Sequence, residues 1–221
     1  DRDHGPHLHA HGDAYIEAMH GVLDGRMNSS SLNRLLLPAR LTWRQLQAMR
    51  SYLAYARQLG TAFPANLVQQ VLLNQPDLAR TLIDLFDARF APRVGNTPGD
   101  VMGGRHHERL AVVGQVEARF QDQLRKVQDA VEDKVLRMFA NLIQATLRTN
   151  FFQRPAEARA LSFKFRCADV ELMPEPRPLF EIFVYDPRME GVHLRGGKIA
   201  RGGIRWSDRI DDFRSEVLSL M

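Results

Sequence analysis

The chain has 221 residues, a formal net charge of +4, 44% hydrophobic and 25% charged side chains, and one cysteine. That composition excludes wholesale disorder and an internal disulfide, and a chain of this length holds one large domain or two small ones, either able to bury a core. The longest apolar stretches, Leu35 to Leu37 and Leu179 to Tyr185 with Glu181 inside it, fall far short of the roughly 20 residues a membrane helix needs. Acidic residues are interleaved with the arginines throughout, which argues against the single basic face of a nucleic-acid binder. The lone Cys167, together with an opening that is charged and His-rich rather than basic and then apolar, predicts a reducing, cytoplasmic setting.

In chain order, residues 1–12 set His4, His7, His9 and His11 among Gly, Pro and Asp with no helical or strand period. They read as a flexible lead-in without a metal site, because ligands need fixed geometry and supporting hydrogen bonds. Residues 13–155 read as a helical module, with apolar side chains recurring at three- and four-residue steps. Thr42 and Gln45 have capping-box spacing and Gly60 sits where a left-handed cap would end the turn, so a helix is expected from about Trp43 to Leu59. Pro64 and Pro76 stand where further helices can begin, and Leu78, Leu82, Leu85 and Phe86 form one face suited to core packing. The run PRVGNTPGDVMGG, Pro92 to Gly104, breaks the pattern as a connection. After it, one bent helix or two carry Val135, Met138, Phe139, Leu142, Ile143 and Thr146 on one side. His106, His107 and Glu108 are successive helix positions about 100° apart and cannot converge on one ion.

Beyond Asn150 the period shortens to two. Leu161, Phe163 and Phe165 alternate with Ser162, Lys164 and Arg166, and Phe180, Ile182 and Val184 alternate with Glu181, Phe183 and Tyr185, so both runs read as strands. The prolines between them, at 174, 176 and 178, exclude a central strand there. Val192 to Trp206 is extended but interrupted by two glycine pairs, and a helix opens near Asp211. The fold class expected is α+β, with residues 156–221 forming the second unit. The last residues, Glu216 to Met221, keep helical rhythm without a capping signal, which predicts a piece of a longer polypeptide.

The segment with the most chemical character is Lys198 to Arg209. Gly202 and Gly203 allow a close backbone approach, and Arg201 and Arg205 offer planar forks that match a carboxylate. Without a neighbouring Lys-Ser or Lys-Thr it is no phosphate loop, and it lacks dinucleotide-fingerprint spacing. On these residues alone, a carboxylate pocket and a tight turn with surface arginines are both open. Asp208, Asp211 and Asp212 suit dipole partners at a helix entrance better than general bases. Cys167 and Ser219 have no sequence-local base to make either a nucleophile.

The run ARGGIRWSDRIDDFRSEVLSLM (200–221) resembles the substrate-domain signature of glutamate dehydrogenases, specifically the large bacterial NAD-specific class. LFEIFVYDPRMEGVHLRGG, RMFANLIQATLRTNFFQ, NQPDLARTLIDLFDARF and SSLNRLLLPARLTWRQLQAMRSYLAYARQLG extend the similarity over about residues 28–221. The resemblance implies oxidative deamination of L-glutamate to 2-oxoglutarate and ammonia, with NAD accepting the hydride, in a homo-oligomer. It implies further that Arg201, where the short enzymes carry a lysine, holds a substrate carboxylate. Gly202 and Gly203 would present amides, Arg205 would reach a carboxylate or brace the loop, and Trp206 and Ser207 would shape the wall. The catalytic lysine, the acid–base aspartate and the NAD-binding domain are expected beyond Met221, so the piece alone is expected to be inactive. The alternative is a non-enzymatic helical module whose Arg-Gly-Gly loop binds an acidic partner or RNA.

Overall fold

A computed structural model of the chain describes residues 5–92, 104–153, 160–206 and 213–221. Seven helices and five strands follow in the order α1 (Gly5–Leu23), α2 (Trp43–Gln58), α3 (Ala65–Asn74), α4 (Pro76–Phe90), α5 (Gly104–Leu124), α6 (Ala130–Ala145), β1 (Thr146–Thr149), β2 (Leu161–Arg166), β3 (Phe180–Asp186), β4 (Met189–Gly196), β5 (Ile199–Arg205) and α7 (Phe213–Ser219). The strands form one sheet in sequential order, every neighbouring pair antiparallel. The fold is α+β.

Local signals set most boundaries. The Thr42 hydroxyl accepts from the Gln45 amide at 3.2 Å while the Gln45 side chain accepts from the Thr42 amide at 3.0 Å, so α2 starts on a closed capping box. Gly60 follows α2 at φ +79°, a conformation that costs a side-chain-bearing residue and spares glycine. Pro76 opens α4 at its first position, and Asp129 caps α6 by accepting from the Val131 and Glu132 amides at 2.7 and 3.0 Å. The charged run after Gly104 and the apolar run before Thr146 are therefore two helices, broken at residues 125–129.

Two features depart from the sequence reading. The backbone is helical from Gly5 rather than from residue 13, because a helix nucleated in the apolar-periodic stretch propagates at one hydrogen bond per residue without needing a further apolar stripe. His4 lies outside the described residues, as do the side chains of His7, His9 and His11 and the connection 93–103. Second, the sheet begins at β1, directly after α6, so the last residues of the helical stretch already pair with β2.

The helices and the sheet share one core. In α2, twelve of sixteen residues are buried, which places it as a central layer with the sheet on one side and helices on the other. Its Tyr55 ring stacks on Phe165 of β2 at 4.1 Å, and Tyr52 packs on Phe163 at 4.9 Å while its hydroxyl meets the Thr146 hydroxyl at 3.0 Å. Phe86 of α4 closes the cluster against Phe151 and Phe152.

Asp87 of α4 is held in this interface. It accepts from the Gln45 side chain at 2.9 Å and lies 3.7 Å from Arg80, yet burial pushes its carboxyl up to about 6. A folded-state value above the ordinary one means the fold favours the neutral acid, so Asp87 weakens the fold progressively as pH rises from about 4 through 6. Asp87→Asn is expected to stabilise the chain by about 1 kcal/mol at pH 7, after allowance for its partial exposure, and to change nothing below pH 4. Urea unfolding of both proteins across that pH range measures it.

Candidate functional site

The segment singled out in the sequence folds as β5, the edge strand of the described sheet, with α7 laid across its inner face. Strand alternation puts Arg201, Gly203 and Arg205 on that inner face, in register with Leu194, Val192 and Glu190 of β4. Arg201 is exposed at the open margin, and its guanidinium donates to the Ala200 carbonyl at 2.9 Å. Arg205 is half-buried, donates to Glu190 Oε2 at 3.3 Å and lies 5.3 Å from the centre of the Phe213 ring. The two arginines stand four strand steps apart, about 13 Å along the backbone, and one turns to the Ala200 carbonyl while the other turns to Glu190. The contacts of Arg205 with Glu190 and Phe213 tie the end of β5 to β4 and α7. Trp206 is 71% exposed, while Ser207, Asp208, Asp211 and Asp212 lie outside the described residues.

The glycine pair has a packing reason. A β-carbon on Gly202 would stand 2.9 Å from the Val192 carbonyl oxygen and 3.2 Å from the His193 ring, closer than atoms tolerate. On Gly203 it would meet the Phe213 ring at 3.4 Å and Val217 at 3.5 Å. The space freed by the missing side chains is used by β4 on one face and α7 on the other.

Sequence reasoning missed the pair that fixes α7. Arg214 is 1% exposed and Glu181 of β3 is 0% exposed, and they meet in a two-pronged ion pair with nitrogen-to-oxygen distances of 3.0 Å. The Arg214 amide donates to Gln58 Oε1 of α2 at 3.1 Å, and its guanidinium also touches the Met173 sulfur at 2.9 Å. Burial pushes the Glu181 carboxyl up while Arg214 pulls it back. The signal was present: Glu181 falls in the same phase as Phe183 and Tyr185, which is the buried face of β3. Beside it, the buried Cys167 thiol is pushed up to about 12 by burial and by the Glu181 charge, which keeps it protonated and unreactive. The Tyr55 hydroxyl lies in the same surroundings, and burial and Glu181 raise it well above its ordinary range. His107 and Glu108 are exposed. Among the described residues, no cluster of three or more His, Cys, Asp or Glu is arranged to hold a metal ion.

Residues 119–221 match the family described as bacterial NAD-glutamate dehydrogenase, catalytic domain, and residues 27–92 match glutamate dehydrogenase, helical motif 3. The chain belongs to the large NAD-specific glutamate dehydrogenases. It is 40% identical over 210 residues to the NAD-specific glutamate dehydrogenase of Halomonas elongata and 41% identical over 213 residues to that of Mycobacterium tuberculosis. Against the Pseudomonas aeruginosa enzyme it is 40% identical over 212 residues. These matches cover 94–95% of this chain and 12% of each relative, so the chain spans about an eighth of their length. The catalytic-domain match begins inside α5, so it takes in α6 as well as the sheet. The described residues do not fit NAD: the sheet is antiparallel throughout and offers no parallel strand–helix–strand crevice for a dinucleotide.

Two outcomes follow for stability. Arg214→Met is expected to cost about 3–5 kcal/mol, because Glu181 is left buried without its partner, whereas the double change Glu181→Leu, Arg214→Met recovers most of that loss. Denaturant unfolding of the two single variants and the double variant completes the cycle. Gly202→Ala is expected to cost about 1–3 kcal/mol through overpacking, and Gly203→Ala under about 1 kcal/mol because its neighbours stand at ordinary contact distance. Their thermal midpoints give the comparison.

Proposed function

We propose that this chain is the junction of a helical region with the opening of the glutamate-binding domain in an NAD-specific glutamate dehydrogenase. The parent enzyme catalyses oxidative deamination of L-glutamate to 2-oxoglutarate and ammonia. Family membership supports the activity, and the exposed Arg201 on an edge strand carries the site assignment. Arg201 presents a fork of donors beside α7 to a substrate carboxylate, which its always-charged guanidinium holds through paired hydrogen bonds. Gly202 and Gly203 keep β5 close to β4 and α7 so that this fork has a fixed base, and Arg205 locks the end of the strand through Glu190. Trp206 continues from that end as the wall of the site.

On this reading the catalytic lysine, the acid–base carboxylate and the dinucleotide domain belong to the parts of the enzyme that the chain does not span, and the piece alone does not turn over. The exposed Ile199, Ile204 and Trp206 along β5 support a margin that further protein covers, in keeping with a homo-oligomeric enzyme. A single buried thiol suits a reducing, cytoplasmic setting and a role in glutamate catabolism. Among the described residues, no helix is long and apolar enough to cross a membrane. Binding of RNA or an acidic protein through the Arg-Gly-Gly segment is disfavoured, because Arg205 is already neutralised by Glu190 and the two arginines form no continuous patch.

In the full-length enzyme, Arg201→Ala is expected to lower kcat/KM for glutamate by the equivalent of ~2–4 kcal/mol of transition-state stabilisation while leaving the fold intact. Steady-state kinetics with circular dichroism checks this. Unchanged glutamate kinetics would remove Arg201 from the site.

A further inference from the structure

A cleft of about 440 Å³ opens between α2 and the β3–β4 turn, away from Arg201. Six charged side chains line it: Arg50, Arg57, Asp186, Arg188, Glu190 and Arg205. The carboxylates are already engaged. Arg188 binds Asp186 at 2.8 Å, and Glu190 is held by Arg205 at 3.3 Å and by the Gln58 side chain at 2.6 Å. That pairing leaves over the two α2 arginines that line the cleft, Arg50 and Arg57.

Arg50 is only 5% exposed, yet its hydrogen bonds run to neutral oxygens: Gln47 Oε1 at 2.8 Å, Ser30 Oγ at 3.1 Å and Asn33 Oδ1. No carboxylate among the described residues lies within ion-pair distance of it, and burial lowers it to about 10. A guanidinium taken out of water with no counter-charge is costly, and an anion in the cleft would relieve that cost. Arg57 stands two helical turns further along the same face of α2, and its guanidinium makes no hydrogen bond to a described residue, though Glu190 feels its charge. The axial span between them is on the order of 10 Å, which two extended side chains reduce to the size of a small dianion.

We infer that this cleft is a binding site for a small polyanion bearing carboxylate or phosphate groups, seated between Arg50 and Arg57 and bridging the helical half to the β3–β4 turn. The site is separate from the substrate reading of Arg201, which does not line it. Its ligand binds the folded chain alone and so stabilises it in a saturable way.

The test is thermal unfolding and calorimetric titration of the full chain with sodium citrate and, separately, inorganic phosphate, each against sodium chloride at matched ionic strength. The expected result is a saturable rise in midpoint with at least one of the two anions, which identifies carboxylate or phosphate as the preferred chemistry. Arg57→Ala is expected to weaken binding at least tenfold, as is Arg50→Gln, and Arg201→Ala is expected to leave it unchanged. The Arg57 side chain makes no hydrogen bond to a described residue, and its backbone bonds at the end of α2 survive the change to alanine, so this variant keeps the test valid if Arg50→Gln fails to fold. Absence of any effect beyond chloride, or binding that survives Arg57→Ala, would overturn the site. Loss of binding in Arg201→Ala would also overturn it, by moving the anion to β5, whereas failure of the substrate reading shows separately as unchanged glutamate kinetics in the full-length enzyme.

Discussion

The buried ion pair between Glu181 and Arg214 is the constraint on which the arrangement of the site depends. Two charges withdrawn from water are tolerated only when they face each other at close range with their remaining groups satisfied. Here both carboxylate oxygens meet the guanidinium at 3.0 Å, and the Arg214 amide is taken by Gln58. The pair therefore specifies one position for α7 against β3 and α2. A sliding α7 would strand a charge in the core, and an apolar pair would lack that selectivity. Because Phe213 and Val217 of the same helix rest on Gly203, the placement of β5 follows from the placement of α7.

The second determinant is α2. Its two buried sides join the helices to the sheet in one core, so the region described as a helical motif is not an appendage of the catalytic opening. Aromatic side chains on α2 meet Phe163, Phe165 and Phe183 of the sheet, while its polar residues Gln47, Arg50 and Gln58 reach across to loop, strand and α7. Gln58 shows the economy of this layout: its amide nitrogen serves Glu190 and its oxygen serves Arg214. A change in how α2 sits would reach both the Glu190–Arg205 pair and the α7 anchor, which gives the helical half a direct mechanical connection to β5.

Local chemistry was legible wherever it was self-contained. The capping box at Thr42, the left-handed Gly60, Pro76 and the period-two runs of β2 and β3 each depend on residues within a few positions of one another, and each stands in the structure as read. The long motif through residues 200–221 identified the family because it is specific as a string, independently of fold. The geometry of that motif was not legible. Arg201 and Arg205 look adjacent in sequence, but an extended strand sets them about 13 Å apart and turns one to solvent and the other onto Glu190. Gly202 and Gly203 suggested room for a ligand, and the room is filled by β4 and α7.

The sequence by itself determined the α+β class, most element boundaries, the family and the identity of the charged groups on β5. All of these follow from neighbour-to-neighbour patterns or from the residue string. Only the tertiary structure decided which charges are paired, which are buried and which are left over. Glu181 with Arg214, Glu190 with Arg205, and Arg50 with only neutral partners among the described residues are each distinguished by partners 15 to more than 30 positions away or by the lack of a charged one there. The energy of a charge depends on the dielectric and on the opposite charge within a few ångströms, and neither quantity is written in its immediate sequence neighbours.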